Sequence, residues 1–240
     1  MNQIKAIATF ICSILLFASC QDNSNKAAEN LTTLDTLQTN PETKIQRIDS
    51  SYSVVAIGGT NWMTGDLQVS QFLNGDSIPE AATDSLWKQY AKQKKPCRRH
   101  IGYTTVYNGY AIMDKRGLLP KDFVLPEFFD FQLLVREAGD KGWTAIASYT
   151  WKEQEWSSDD MGLKKTKMKG KNELLFNARE GGYVYENGVI ASGQCSYWWT
   201  SEHGSFSIGH CTEAYNGGVE PIYDMGWGMA VRGKQLKASN

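Results

Sequence analysis

The chain predicts an α+β domain behind an N-terminal leader and a polar tether. Three observations carry this. Two helical patterns fall early in the folded part, at residues 82–94 and 128–138. From Tyr183 onward, short aromatic strands alternate with Gly and Asn turns, and helices followed by a run of strands is the α+β order. Residues 20–50 are instead rich in Asn, Thr, Gln, Asp and Glu, with too few large apolar groups to offset the entropy of ordering.

The leader comes first. Lys5 supplies a positive start, residues 6–18 are almost wholly apolar, and the small residues Ala18 and Ser19 lead into Cys20. That is the order of a secretory leader, and the run is shorter than the roughly 20 apolar residues of a membrane span. Cysteine directly after the small pair makes the cut site a lipobox, with Phe17 where Leu is usual and Leu16 shifted by one. The expectation is a lipoprotein signal peptide over 1–19, lipid (palmitate) on Cys20, a disordered tether over 20–50 and the folded domain over 51–240. As a flexible coil the tether would reach roughly 30 Å on average, enough to hold the domain clear of a membrane. Gln21 does not resemble the Asp that retains some lipoproteins at the inner membrane, so the expected address is the outer membrane of a cell envelope. Asp35-Thr36-Leu37 in the tether resembles an Asp-Ser/Thr-apolar bacterial O-glycosylation site, which makes Thr36 a candidate modification site.

Within the domain, Ser53–Ile57 reads as a strand, Gly58-Gly59 as a turn, and Asn61-Trp62-Met63 follows it. In the first helix Leu86 and Tyr90 stand one turn apart. In the second, Phe128, Phe131, Leu134, Val135 and Ala138 keep the three-four spacing of an amphipathic helix, bounded by Pro126 and Gly139. Residues 145–151 read as a strand, as do 183–185, 197–199, 212–215 and 229–232.

Composition excludes some partners. Of 25 Lys and Arg only Lys5 leaves with the leader, so 24 basic side chains face 26 acidic ones. A near-neutral chain lacks the concentrated basic face of a nucleic-acid binder. The one basic cluster, residues 92–99, reads as a solvated surface loop. Export permits a disulfide. Beyond Cys12 and Cys20 remain Cys97, Cys195 and Cys211; the last two flank a segment centred near His203, as partners across a hairpin would, and are expected to pair. Cys97 would then be free, and the alternative is three unpaired small apolar residues. No C-x-x-C occurs, and His100, His203 and His210 lack ligand spacing with the cysteines, which excludes an ordinary zinc site. Neither a Ser-His-Asp motif nor a Gly-x-x-x-x-Gly-Lys phosphate loop is present.

Seven landmarks stand in a familiar order. They are Asn61-Trp62-Met63 with Asp66-Leu67; Phe72-Leu73-Asn74-Gly75-Asp76-Ser77-Ile78-Pro79, followed by Trp87; Val106-Tyr107-Asn108-Gly109-Tyr110-Ala111; Arg116-Gly117-Leu118-Leu119-Pro120 with Val124-Leu125-Pro126; Phe176-Asn177-Ala178 with Gly181-Gly182-Tyr183; Tyr197-Trp198-Trp199-Thr200-Ser201; and Gly228-Met229-Ala230-Val231-Arg232. Together, over about residues 54–235, the chain resembles the Fibrobacter succinogenes major paralogous domain. It departs from that pattern at Gly109, where the family has Trp, at Leu125, beside a missing His, at Arg179-Glu180, where the family has Leu-Pro, and at Gly233, where many members have Cys. The resemblance implies a C-type-lectin-like fold with two main helices and short, twisted antiparallel strands, a group that also holds the formylglycine-generating enzymes. It implies exported proteins of Bacteroidetes-type bacteria and no particular reaction.

Formylglycine chemistry, in family terms, uses two nearby late cysteines and a metal, whereas Cys195 and Cys211 are far apart in sequence and expected to bridge. Calcium-dependent sugar binding wants six to eight oxygen ligands. The lectin "E-P-N" and "W-N-D" motifs are absent, since Glu220-Pro221 is followed by Ile222. Glu155, Asp159 and Asp160 read as a solvated acidic loop, with calcium as the open alternative to no cofactor. Aromatics remain. Trp198 and Trp199 in one strand point to opposite faces, which leaves one for the core and one for a surface. Trp151 and Trp156 flank a Lys-rich segment running to Lys171, where lectin-like domains vary their ligand surface. Trp151, Trp156, Trp198 and Trp199 are therefore the candidate ligand-binding residues, although the resemblance favours a packing role for most of them. The expected protein is a non-catalytic, lipid-anchored module that binds glycan or protein at the bacterial surface. The alternatives are an enzyme of the formylglycine-generating kind and a structural envelope protein.

Overall fold

A computed structural model of the chain describes residues 45–47, 52–151, 154–157, 165–185, 188–190, 195–209, 218–221 and 224–236. The leader, Cys20 and Thr36 lie outside the described residues, as does the strand expected over 212–215.

In chain order the elements are β1 (Ile45–Arg47), β2 (Ser53–Ile57), β3 (Thr60–Met63), α1 (Asp84–Lys92), β4 (Arg98–Ile101), β5 (Thr104–Asn108), α2 (Gly109–Ile112), β6 (Phe123–Val124) and α3 (Phe128–Ala138). A 3-10 turn (Gly139–Lys141) leads to α4 (Trp143–Ile146), β7 (Gln154–Ser157), β8 (Lys165–Met168), β9 (Tyr183–Tyr185), β10 (Gly188–Ile190), β11 (Cys195–Trp199), β12 (Gly204–Gly209), β13 (Gly218–Pro221), β14 (Gly228–Ala230) and β15 (Lys234–Gln235). The class is α+β, with few helices and mixed sheets.

One sheet runs in the order β1-β2-β3-β15-β6. Its central hairpin forms because Gly58 and Gly59 both adopt positive φ, at 60° and 80°, the combination a two-residue turn needs to match strand twist. Val55 then lies opposite Trp62. β1 pairs with β2 through Ile45 and Val55, so the sheet reaches into the stretch read as tether. β1 takes the row of backbone donors and acceptors that the edge of β2 would otherwise leave unpaired.

The second sheet runs β10-β9-β14-β11-β12-β13, with β5 against β14 and β4 against β5. Its pairs are antiparallel except β11 and β14, which run parallel with Trp198 opposite Ala230, a departure from the all-antiparallel expectation. β11 and β12 form a hairpin from Cys195↔Gly209 to Trp199↔Ser205. Its turn is closed by Thr200, whose N–H donates to Gly204 O at 2.9 Å, and by His203 at φ 60°. Among the described residues β7 and β8 pair only with each other.

Both faces of the second sheet are covered. On one, Trp198 packs with Trp62, Phe131, Phe176 and Phe206. On the other, Trp199 packs with Tyr107, Phe72, Met229 and Val231. α3 supplies the first face: Phe131 stacks on Phe206 at 4.3 Å and lies 5.0 Å from Trp62. Its start is a reciprocal cap, in which the Glu127 N–H donates to Asp130 Oδ2 at 2.8 Å, and Glu202 accepts from the Phe128 N–H at 3.0 Å. α1 begins at Thr83, whose hydroxyl accepts from the Leu86 N–H at 3.2 Å, and buries Trp87 against Val106, Val184 and Cys97.

The strand expected over 145–151 is not formed. α4 occupies Trp143–Ile146, the Ala147 N–H donates to Trp143 O at 2.8 Å, and only Ala147 bridges, to Ala178. A short, fully buried apolar run carries no periodicity to tell helix from strand, and packing decided. The basic cluster also differs from a free loop: Arg98 pairs with Glu80 at 2.7 Å and Arg99 with Asp84 at 2.5 Å. Gly109 has a physical reason, because a Cβ there would lie 2.4 Å from Met225 Cε, so Met225 fills the space a larger residue would need.

Candidate functional site

Three of the four expected ligand-binding tryptophans are core residues. Trp151, Trp198 and Trp199 are each 0% exposed, and stacking on a ligand needs an open ring face. Trp151 packs on Trp143 at 5.5 Å. Trp198 and Trp199 do point to opposite faces, but each face is covered, so neither is left for the surface. Trp156 and Glu155 stand in β7, where only the backbone is described, and Asp159 and Asp160 lie outside the described residues.

What the fold assembles instead is a polar cleft of about 160 Å³ lined by Gly65, Asp66, Gln68, Tyr103, Asn177, Arg179 and Arg232. Its floor is an ion pair. After β3 the chain turns at Gly65-Asp66 and is pinned by the Leu67 N–H donating to Val231 O at 2.8 Å, which brings Asp66 beside Arg232. Asp66 Oδ1 accepts from Arg232 Nε at 2.9 Å and Nη2 at 2.5 Å, and also from Trp198 Nε1 at 2.8 Å. Oδ2 accepts from the Thr104 hydroxyl at 2.9 Å. The guanidinium spends its Nη1 on Phe176 O and lies 4.2 Å over the Phe176 ring. Burial pushes the Arg232 pKa down from its ordinary value, and the Asp66 charge works against that push. Trp198 thus holds the floor from below.

The walls come from two turns. Gly102 at φ 55° reverses the chain between β4 and β5 and presents Tyr103, which is 61% exposed. Gln68 Nε2 donates to Tyr103 O at 3.2 Å and ties that turn to the floor loop. Opposite, residues 176–180 are held by the Ser148 N–H donating to Ala178 O at 2.7 Å and the Ala178 N–H donating to Ile146 O at 3.1 Å. Asn177 takes the left-handed backbone (φ 57°) that Asn tolerates, and its N–H donates to Asn172 Oδ1 at 2.7 Å. Arg179 then reaches across to lie 5.6 Å over the Tyr103 ring.

Two larger cavities are less suited to a polar ligand. One, about 390 Å³, lies between the β2–β3 turn and α3, but its polar groups satisfy one another: Lys234 pairs with Asp130 at 2.5 Å and Asn61 Nδ2 donates to Gln235 Oε1 at 3.3 Å. The other, about 280 Å³, is lined by aliphatic and aromatic residues such as Leu118, Phe123 and Val231. In the cleft, by contrast, Arg179 has no carboxylate partner among the described residues, and Gln68 Oε1 and Asn177 Oδ1 accept no described hydrogen bond. Sequence reading singled out none of the wall residues as binders. The one available signal was Arg179-Glu180 in place of the motif's Leu-Pro.

Cys97 is a buried free thiol, and burial pushes its pKa up to about 12. Cys195 is buried at the start of β11, and Cys211 lies outside the described residues. Among the described residues no three His, Cys, Asp or Glu stand together as a metal site, and no helix is long and apolar enough to cross a membrane.

The described residues form an α+β domain with an ion-paired, aromatic-rimmed polar depression. Residues 55–233 match the Fibrobacter succinogenes major domain, and the chain belongs to that family. No curated protein and no solved structure matches it.

Proposed function

We propose that this chain is a non-catalytic saccharide-binding module, anchored to the bacterial outer membrane through lipid on Cys20, and that the cleft beside Tyr103 is its binding site. One observation carries the reading: an exposed aromatic ring stands beside planar polar side chains with hydrogen-bonding capacity to spare. A sugar offers the matching surface, with an apolar ring face for the tyrosine and hydroxyls for Gln68, Asn177 and Arg179. Ligand pockets for drug-sized molecules run from roughly 300 to 1,000 Å³. A cleft of about 160 Å³ therefore suits one terminal sugar unit.

The lectin-like assignment belongs to the same proposal and rests on the order of the family motifs. So does a Cys195–Cys211 bridge. Its support is that Cys195 is not a free thiol, and that Cys211 follows two residues after Gly209, the cross-strand partner of Cys195.

The test is a glycan array probed with the purified full chain and with Tyr103→Ala. Specific binding by the native chain, lost in the variant at an unchanged melting temperature, is the expected result. Binding that survives Tyr103→Ala would move the site elsewhere, and a folded chain that binds nothing would end the saccharide reading.

A further inference from the structure

Resting on the saccharide reading above, we infer that the cleft selects acidic sugars, with Arg179 receiving a uronate-type carboxylate while the ring lies against Tyr103.

The charges of the cleft point this way. Asp66 and Arg232 are nearly inaccessible, at 5% and 1% of their side chains, and each is spent on the other. Neither presents net charge to a ligand. Among the described residues Arg179 is the remaining charged one in the lining, and it forms no ion pair with any of them. Glu180, its neighbour in sequence, forms no ion pair with it among the described residues: its Oε2 is buried without a hydrogen-bond partner, and Glu180 is not among the described lining residues. Among the described residues, the cleft therefore carries one cation without an ion-pair partner at its rim. The charge of Arg179 is also felt by Arg232, whose pKa burial lowers first and the neighbouring guanidinium lowers further. A bound anion would relieve that repulsion.

Geometry favours a carboxylate. A guanidinium is a planar fork of donors that meets a carboxylate with two parallel hydrogen bonds. Arg179 already lies over the Tyr103 ring at 5.6 Å, so it is partly ordered before a ligand arrives. A pre-ordered side chain loses less freedom on binding. Asn177 and Gln68, with oxygens accepting no described hydrogen bond, stand ready for the hydroxyls of the same sugar. Arg179 stands where the motif this chain resembles has Leu.

The test is calorimetric titration of the purified full chain with a short galacturonate oligosaccharide and with its fully methyl-esterified form, repeated on Arg179→Gln and Arg179→Lys. The acid should bind more tightly than the ester, and Arg179→Gln should weaken the acid by on the order of ten- to a hundredfold, the effect of losing a charge-assisted hydrogen bond. Arg179→Lys should retain part of the affinity, as a point charge without the fork. Melting temperatures of the variants should match the native chain, because the hydrogen bond that Arg179 makes to the fold is its carbonyl accepting from the Ser196 hydroxyl, which the substitutions leave in place. Ester bound as tightly as acid, or acid binding unmoved by Arg179→Gln, would overturn the inference and leave the saccharide reading standing. Neither form bound by a folded chain, together with a blank glycan array, would overturn both.

Discussion

Replacing Asp66 with Ala removes the carboxylate that neutralises Arg232 inside the domain. In the native chain that carboxylate accepts from Arg232 at 2.5 and 2.9 Å, from Trp198 at 2.8 Å and from Thr104 at 2.9 Å. The variant leaves a guanidinium with 1% side-chain exposure holding only Phe176 O, and an indole N–H with no acceptor. Removing one partner of a buried pair costs about 3–5 kcal/mol, most of it the stranded charge. At about 2–4 °C per kcal/mol for a domain of this size, the melting temperature should fall by roughly 6–20 °C. Urea unfolding followed by tryptophan fluorescence, alongside a thermal scan, measures both. Asp66→Asn keeps the volume and one acceptor oxygen and should lose less. Adding Arg232→Met to Asp66→Ala should recover much of the loss, because an apolar side chain of similar length strands no charge. A loss below about 1 kcal/mol in Asp66→Ala, the range of exposed pairs, would refute the claim that the pair is buried and structural.

Two further predictions concern groups outside the cleft. Cys97, buried and pushed up to about 12, should resist a thiol reagent at pH 8 in the native chain and react fully in denaturant; rapid stoichiometric labelling without denaturant would contradict its burial. Asp114 accepts from Arg116 Nε at 2.8 Å and Nη2 at 2.7 Å, and the Arg116 hydrogen bond holds its pKa below the ordinary 3.8. A depressed folded pKa stabilises above the unfolded value, and that contribution is lost as pH falls through the folded one. Carboxyl NMR titration should place Asp114 below 3.8 in the native chain and return it toward 3.8 in Arg116→Gln; identical curves would reject the pairing.

What the sequence determined by itself was local or periodic. The three-four spacing of Phe128, Phe131, Leu134 and Ala138 placed α3 at its observed bounds, because that spacing is the geometry of one helix face. Gly58-Gly59 marked the β2–β3 hairpin, because only glycine takes two successive positive φ angles readily. Alternation put Trp198 and Trp199 on opposite faces. The ordered motifs pointed to the family whose domain matches residues 55–233. The tertiary structure decided whether each face was open. Both sides of the second sheet are covered, so a pattern that fixes direction could not fix exposure, and Trp198 and Trp199 are both core. It also decided that residues 143–146 coil, since a buried apolar run has no polar side to reveal its period. The cleft is the clearest case. Asp66, Tyr103, Arg179 and Arg232 share no motif and lie on four separate segments, and only the pinning of Leu67 on Val231, of Gln68 on Tyr103 O and of Ala178 on Ile146 brings them to one place. Such contacts depend on three-dimensional distance, which spacing along a chain does not encode.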